Sequence, residues 1–105
     1  MSAYIQVTIT TATRDEALRI ARALVEQRLA ACGQVSGPIT SIYPWQGVIE
    51  TTTEWRCTLK TRGALFAAVA AAIRARHSYA VPQIISTPLG EISVEYQAWL
   101  AASLQ

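Results

Sequence analysis

The sequence predicts an α+β domain of order β-α-β-β-α-β with an extra helix near its C-terminal end. Three observations carry that expectation. Residues 4–11 alternate β-branched and polar types, the period of a half-buried strand. Two stretches of helical period, one after Thr13 and one over residues 63–77, separate further strand-like segments. Between them lie two long strand-like runs joined at Gln46-Gly47, more hairpin than one small core needs.

Each element has a local cause. Tyr4 to Thr11 is the first strand. Thr13-Arg14-Asp15-Glu16 has the form of a capping box, in which the Thr13 hydroxyl takes the Glu16 amide proton and the Glu16 carboxylate reaches back. The helix that follows places Ala17, Ile20, Ala21, Leu24 and Val25 on one face, with Arg19, Arg22 and Glu26 opposite. Arg28 falls in the apolar arc near the helix end, its stem packed and its head in water. Gly33 is the expected helix stop.

Ile39, Ser41, Tyr43 and Trp45 then alternate with Thr40, Ile42 and Pro44, and Gln46-Gly47 forms the turn. On the return strand Ile49, Thr51, Thr53, Trp55, Cys57 and Leu59 point towards the helices. Glu50, Thr52, Glu54, Arg56, Thr58 and Lys60 point away. Pro44 has no amide to donate and marks an edge or a bulge. Residues 63–77 form the second helix, with Phe66, Val69, Ala70 and Ile73 as its stripe, and residues 81–87 a strand bounded by Pro82 and Pro88. Ser93 caps a last helix with Tyr96, Trp99, Leu100 and Leu104 on one face. This is the ferredoxin-like plan, a split βαβ sheet with two helices on one face. The other face, carrying Glu50, Glu54, Arg56 and Lys60, is left to water or to a symmetric partner.

Composition narrows the function. The 105 residues make one domain, 1–105, and 51% are apolar, enough for a core without metal or disulfides. Only 15% are charged, low for a surface wholly in water, so a partner, most simply an identical subunit, is expected to cover part of it. The net charge of +2 is dispersed and no basic block is interleaved with aromatics, which argues against nucleic acid. Two cysteines outside a C-x-x-C arrangement give neither a disulfide framework nor the usual redox loop. No apolar run approaches bilayer length, residues 1–6 do not have the form of a secretory leader, and a cytoplasmic setting is expected.

Several blocks resemble the CutA family of divalent-cation tolerance proteins. They are Leu29-Ala30-Ala31-Cys32, Ser41-Ile42-Tyr43-Pro44-Trp45-Gln46-Gly47-Val48-Ile49 through Glu54, Leu59-Lys60-Thr61, His77-Ser78-Tyr79-Ala80-Val81-Pro82-Gln83-Ile84-Ile85, and Tyr96-Gln97-Ala98-Trp99-Leu100. They span nearly the whole chain in the right order. The resemblance implies a ferredoxin-like homotrimer whose long hairpins reach onto neighbours, as in PII signal-transduction proteins. It also implies tolerance to divalent metals such as copper. The family commonly reads H-P-Y-E before the proline and glutamate after it, where this chain has Ser78, Ala80 and Gln83. A histidine and a cysteine that some bacterial members add are replaced by Arg76 and by Thr10 or Thr11.

The candidate residues follow. Cys32 and His77 are the candidate metal ligands, with copper or another divalent cation as the implied cofactor. Cys32 is a soft donor that the resemblance places near the subunit cleft, and it also suits a helix–strand joint as a small packed side chain. His77, the single histidine, is equally at home at a helix C-terminus. Cys57 reads as core. Tyr43, Trp45, Glu54 and Lys60 are the candidate cleft residues. They lie too far apart along the hairpin to meet within one chain, so they meet between subunits or serve as plain interface. The functional expectation is a homotrimeric divalent-cation tolerance protein with weak copper binding. The alternative is a PII-like signalling or scaffolding trimer for a small anion or protein. An enzyme using Lys60 with Cys32 or Glu54 is disfavoured, because no nucleophile–base–orienter set is visible.

Overall fold

The computed structural model describes residues 3–105. Met1 and Ser2, part of the leader reading above, lie outside the described residues. The elements are β1 (Tyr4–Thr11), α1 (Arg14–Glu26), β2 (Cys32–Trp45), β3 (Val48–Arg62), a short 3-10 turn (Gly63–Leu65), α2 (Phe66–Arg74), β4 (Ile85–Pro88) and α3 (Val94–Ser103). All pairings are antiparallel and the strand order is β2-β3-β1-β4, the ferredoxin-like order expected.

The main core lies between the sheet and the two helices. Val7 and Ile9 of β1 and Cys57 and Leu59 of β3 meet Ala17, Ile20, Ala21 and Leu24 of α1 and Val69 and Ile73 of α2. Odd positions of β3 from Trp55 to Leu59 therefore face the helices, as the period-two reading required. A smaller cluster of Tyr4, Ala31, Leu100 and Leu104 ties α3 to the start of β1. Beyond it the hairpin of β2 and β3 runs on as an arm. The molecule measures 46 × 25 × 23 Å, with a radius of gyration of 14.3 Å. A compact domain of this length would have about 13 Å. Gln46 and Gly47 take φ of 51° and 79° at the tip, the pair of left-handed residues a two-residue hairpin turn demands.

Several expectations are corrected by packing. α1 ends at Glu26, not before Gly33. Arg28 takes the left-handed stop conformation at φ 59°, and its head, still exposed, also reaches across to the end of the chain. Its Nη2 donates to the carbonyls of Ala102 (2.7 Å) and Leu104 (3.1 Å) and its Nε to that of Ser103 (3.3 Å). Gly33 belongs to β2, where a Cβ would lie 2.9 Å from that of Ala21. Thr13 caps α1 through the Glu16 amide at 3.2 Å, but the Glu16 carboxylate turns to Ser78 instead of back to the cap. Val25 stands at the rim of the stripe, exposed.

Pro44 pairs with Ile49 on the outer strand, so its edge reading holds. The register break sits at Ser36/Ile39 instead. The second helix starts only at Phe66 because Gly63–Leu65 winds as a tighter turn. The last strand is shortened to Ile85–Pro88, since Pro82 has no amide with which to extend the ladder. Leu100 of α3 and Leu104 just beyond its end are buried, while Tyr96 and Trp99 remain partly exposed.

Candidate functional site

Glu54 is not on a solvated face. It is 6% exposed, and its Oε2 accepts from the Tyr79 hydroxyl at 2.7 Å. The register explains how its neighbours collect. Tyr43 lies opposite Glu50 and Ser41 opposite Thr52, and cross-strand partners share a face. Together Thr10, Tyr43, Trp45, Glu50, Glu54 and Tyr79 line a groove of about 750 Å³ that runs along the arm from its root at Glu54 to Trp45 beside the tip. The Thr52 hydroxyl donates to the Tyr43 hydroxyl at 3.3 Å. Burial, then the hydrogen bond and charge of Glu54, push the Tyr79 pKa well above the ordinary tyrosine range. The phenol therefore stays neutral and stays a donor.

Lys60 is elsewhere. Its Nζ donates to Gln34 Oε1 at 2.9 Å, and its Cα partner is Cys32. Six strand positions separate it from Glu54, about 20 Å. Cys32 is partly buried at the head of β2. Tyr96 of α3 lies beside it: burial first, and then the Cys32 thiol, raise the tyrosine pKa. Tyr43, Trp45 and Glu54 line one elongated groove, with Trp45, opposite Val48, as many strand positions from Glu54 as Lys60 is on the other side, and Cys32 and Lys60 lie opposite each other outside that groove. Cys57 is fully buried, and burial, with Cys32 adding, pushes its thiol up to about 11.

His77 is held on every side. Nδ1 accepts from the Tyr79 amide at 3.0 Å, which leaves the proton on Nε2, 2.8 Å from the Thr10 carbonyl. Glu16 Oε2 lies 3.5 Å from Nδ1 and also accepts from the Ser78 amide at 2.7 Å, while Oε1 accepts the Ser78 hydroxyl at 3.0 Å. The imidazole thus serves to orient Tyr79, whose ring centroid is 4.7 Å from its own. Tyr79, named from sequence only within the block from His77 to Ile85 and not among the cleft residues, is the residue that closes over Glu54. Thr10 and Glu16 were not legible as site residues, because both act across more than sixty positions of chain. Among the described residues no group of three His, Cys, Asp or Glu could hold a metal ion, so the side chains of one copy do not by themselves make a closed cation site.

Residues 5–103 match the family model described as CutA1 divalent ion tolerance protein. The chain belongs to that family. A CutA relative from Thermus thermophilus, named divalent-cation tolerance protein, is 40% identical over 94 residues, 90% of this chain and 91% of its own length. The solved structure of the periplasmic divalent cation tolerance protein CutA from Archaeoglobus fulgidus matches with TM-score 0.94 at 36% identity, over 97% of this chain and 99% of that one. The rice protein named CutA 1, chloroplastic, is 32% identical over 94% of this chain, which spans 56% of the rice protein's length.

These names overturn the expected cytoplasmic setting, since CutA relatives are called periplasmic in one case and chloroplastic in another. The physical reason is that a fold held by packing, with both thiols free, does not report the redox state around it. No helix among the described residues is long and apolar enough to cross a membrane.

Proposed function

We propose that this chain is a homotrimeric divalent-cation tolerance protein that binds divalent cations weakly, copper foremost, at sites completed between copies. One observation carries the reading. The arm leaves Ile42, Trp45, Val48 and Ile49 between 50% and 69% exposed, an apolar surface at odds with a single chain in water and suited to burial on a neighbour. Cyclic closure of three such arms gives each copy an interface on both sides. A cation needs donors from more than one copy, given the sparse ligands of each. Cys32 is the soft donor we assign, with Lys60 beside it at the interface. His77 supports Tyr79 and is a metal ligand only after the coordinating nitrogen gives up its hydrogen bond, the Tyr79 amide at Nδ1 or the Thr10 carbonyl at Nε2.

Light scattering on untagged protein is expected to give about three times the 11.4 kDa chain mass, and a stable monomer defeats the reading. Calorimetry with copper(II) should show weak heats that vanish in Cys32→Ala, whereas unchanged binding in that variant removes the ligand assignment. A second reading, a PII-like trimer that binds a small anion, has one observation in its favour: Arg14, Arg19 and Arg22 line a groove between α1 and β2. Nucleotide binding without copper binding would favour it.

A further inference from the structure

α3 is held to the body more lightly than the other helices. Only Leu100 of its ten residues is buried, against three of nine in α2 and five of thirteen in α1. A helix this short is marginal without packing on one face. Its other fastenings gather at its C-terminal end. There Leu104 is buried, and the Arg28 guanidinium donates to the carbonyls of Ala102, Ser103 and Leu104. Gln105 adds two bonds, from its backbone amide to the Arg28 carbonyl at 3.0 Å and from its side chain to the Gln27 carbonyl at 2.9 Å. At the other end the chain arrives from β4 through residues 89–93. A Cβ on Gly90 would meet nothing within 4 Å, and Glu91 and Ser93 are exposed. One end of α3 is a latch and the other a loose connector.

What α3 lies over is the head of β2. Ala31 packs with Leu100 and Leu104. The next residue is Cys32, half-buried, and Tyr96 of α3 lies beside its thiol. We propose that α3 is a strap over Cys32, hinged at residues 89–93 and latched by Arg28, which lifts to free the thiol for a soft cation. The proposal rests on the reading of Cys32 as a cation donor and adds the control of access to it. Local opening draws on the least packed elements of a fold, and α3 is the helix that buries least. The latch and the buried leucines belong to one chain, so the strap is built without help from a neighbour. A second copy seated on the outer face of α3 would instead hold it down.

The test is labelling of the whole chain with fluorescein maleimide, a bulky thiol reagent, read by peptide mass spectrometry at Cys32 and at Cys57. It needs no metal, so it stands or falls apart from the calorimetric test of Cys32 as a donor. Arg28→Ala should raise the Cys32 rate about tenfold and leave the buried Cys57 unlabelled. Arg28→Lys keeps a donor at the latch and should fall between. Amide hydrogen exchange should show residues 97–103 opening before α1 and α2 in the parent, and faster still in Arg28→Ala. An unchanged Cys32 rate in Arg28→Ala, as a neighbouring copy seated on α3 would give, overturns the proposal. So does labelling of Cys32 and Cys57 that rises together, the mark of global unfolding. Amides of α3 that exchange as slowly as those of α1 overturn it as well.

Discussion

Arg28 and Ala102 are joined by a 2.7 Å hydrogen bond from guanidinium to carbonyl, and through it the end of α1 fastens the end of α3. Helix C-termini leave carbonyls unmatched, and here one side chain from a distant helix reaches three of them. The Gln105 amide completes the clasp by donating to the Arg28 carbonyl at 3.0 Å. Arg28→Ala should therefore lower stability by about 2 kcal/mol. Arg28→Gly should be less damaging by about 1 kcal/mol, because glycine tolerates the positive φ. Chemical denaturation of both variants checks the order. Equal loss in the two would mean that the backbone conformation contributes little.

Glu16 is a second long-range fastener, joining α1 to the turn after α2. Glu16→Ala leaves the Ser78 amide and hydroxyl without their acceptor and should cost about 3 kcal/mol. Glu16→Gln, which keeps one acceptor oxygen, should cost less. The same variants should perturb the Tyr79 ring resonances in NMR spectra if the His77 bracket transmits the change.

Gly37 has φ 153°, and a Cβ there would sit 2.7 Å from Trp55 Cε3. Gly37→Ala meets both backbone strain and a rigid indole, for a loss of about 3 kcal/mol. Near-ultraviolet circular dichroism should report a disturbed Trp55. A variant as stable as the parent would contradict this packing.

Alkaline pH tests the buried thiol. Cys57 titrates near 11 in the folded chain against about 9 when exposed. A raised folded pKa gives stability that is fully present below pH 9 and is lost as pH climbs from there through about 11. The loss is about 3 kcal/mol. Tyr79, shifted in the same direction, extends the decline to higher pH. Cys57→Val should flatten the profile between pH 9 and 11, and an unchanged slope in that variant would refute the assignment.

Ile49 is 69% exposed on the arm. If the arms bury one another, Ile49→Asp should convert the assembly to single chains with intact secondary structure. Sedimentation velocity gives the answer directly.

Sequence reasoning located the strands and helices wherever period and cap agreed, as in β1, the Thr13 and Ser93 caps and the Gln46-Gly47 turn. It missed at places decided by tertiary contact. Gly33 looked like a helix stop because glycine commonly is one, yet its smallness serves the approach of α1 to β2. Arg28 is exposed as expected, but its hydrogen bonds to the carbonyls at the end of α3 were not legible, because nothing nearby in sequence reveals that α3 ends against it. The placement of Glu54 on the face opposite Cys57 was legible from alternation, but its burial was not, because Tyr79 arrives from beyond the second helix. Cys32 and Lys60 could be paired only once the register was known.

Every pair between β2 and β3 closes across one tight turn, whereas β1 must find β4 from the far end of the chain. The arm can zip up within about 1–10 μs, well before the central strand is flanked on both sides. During synthesis it emerges before β4 and α3 exist, with its apolar tip uncovered. Pro44 and the irregularity at Ser36/Ile39 interrupt the outer edge during that interval, a safeguard against indiscriminate pairing with other nascent strands.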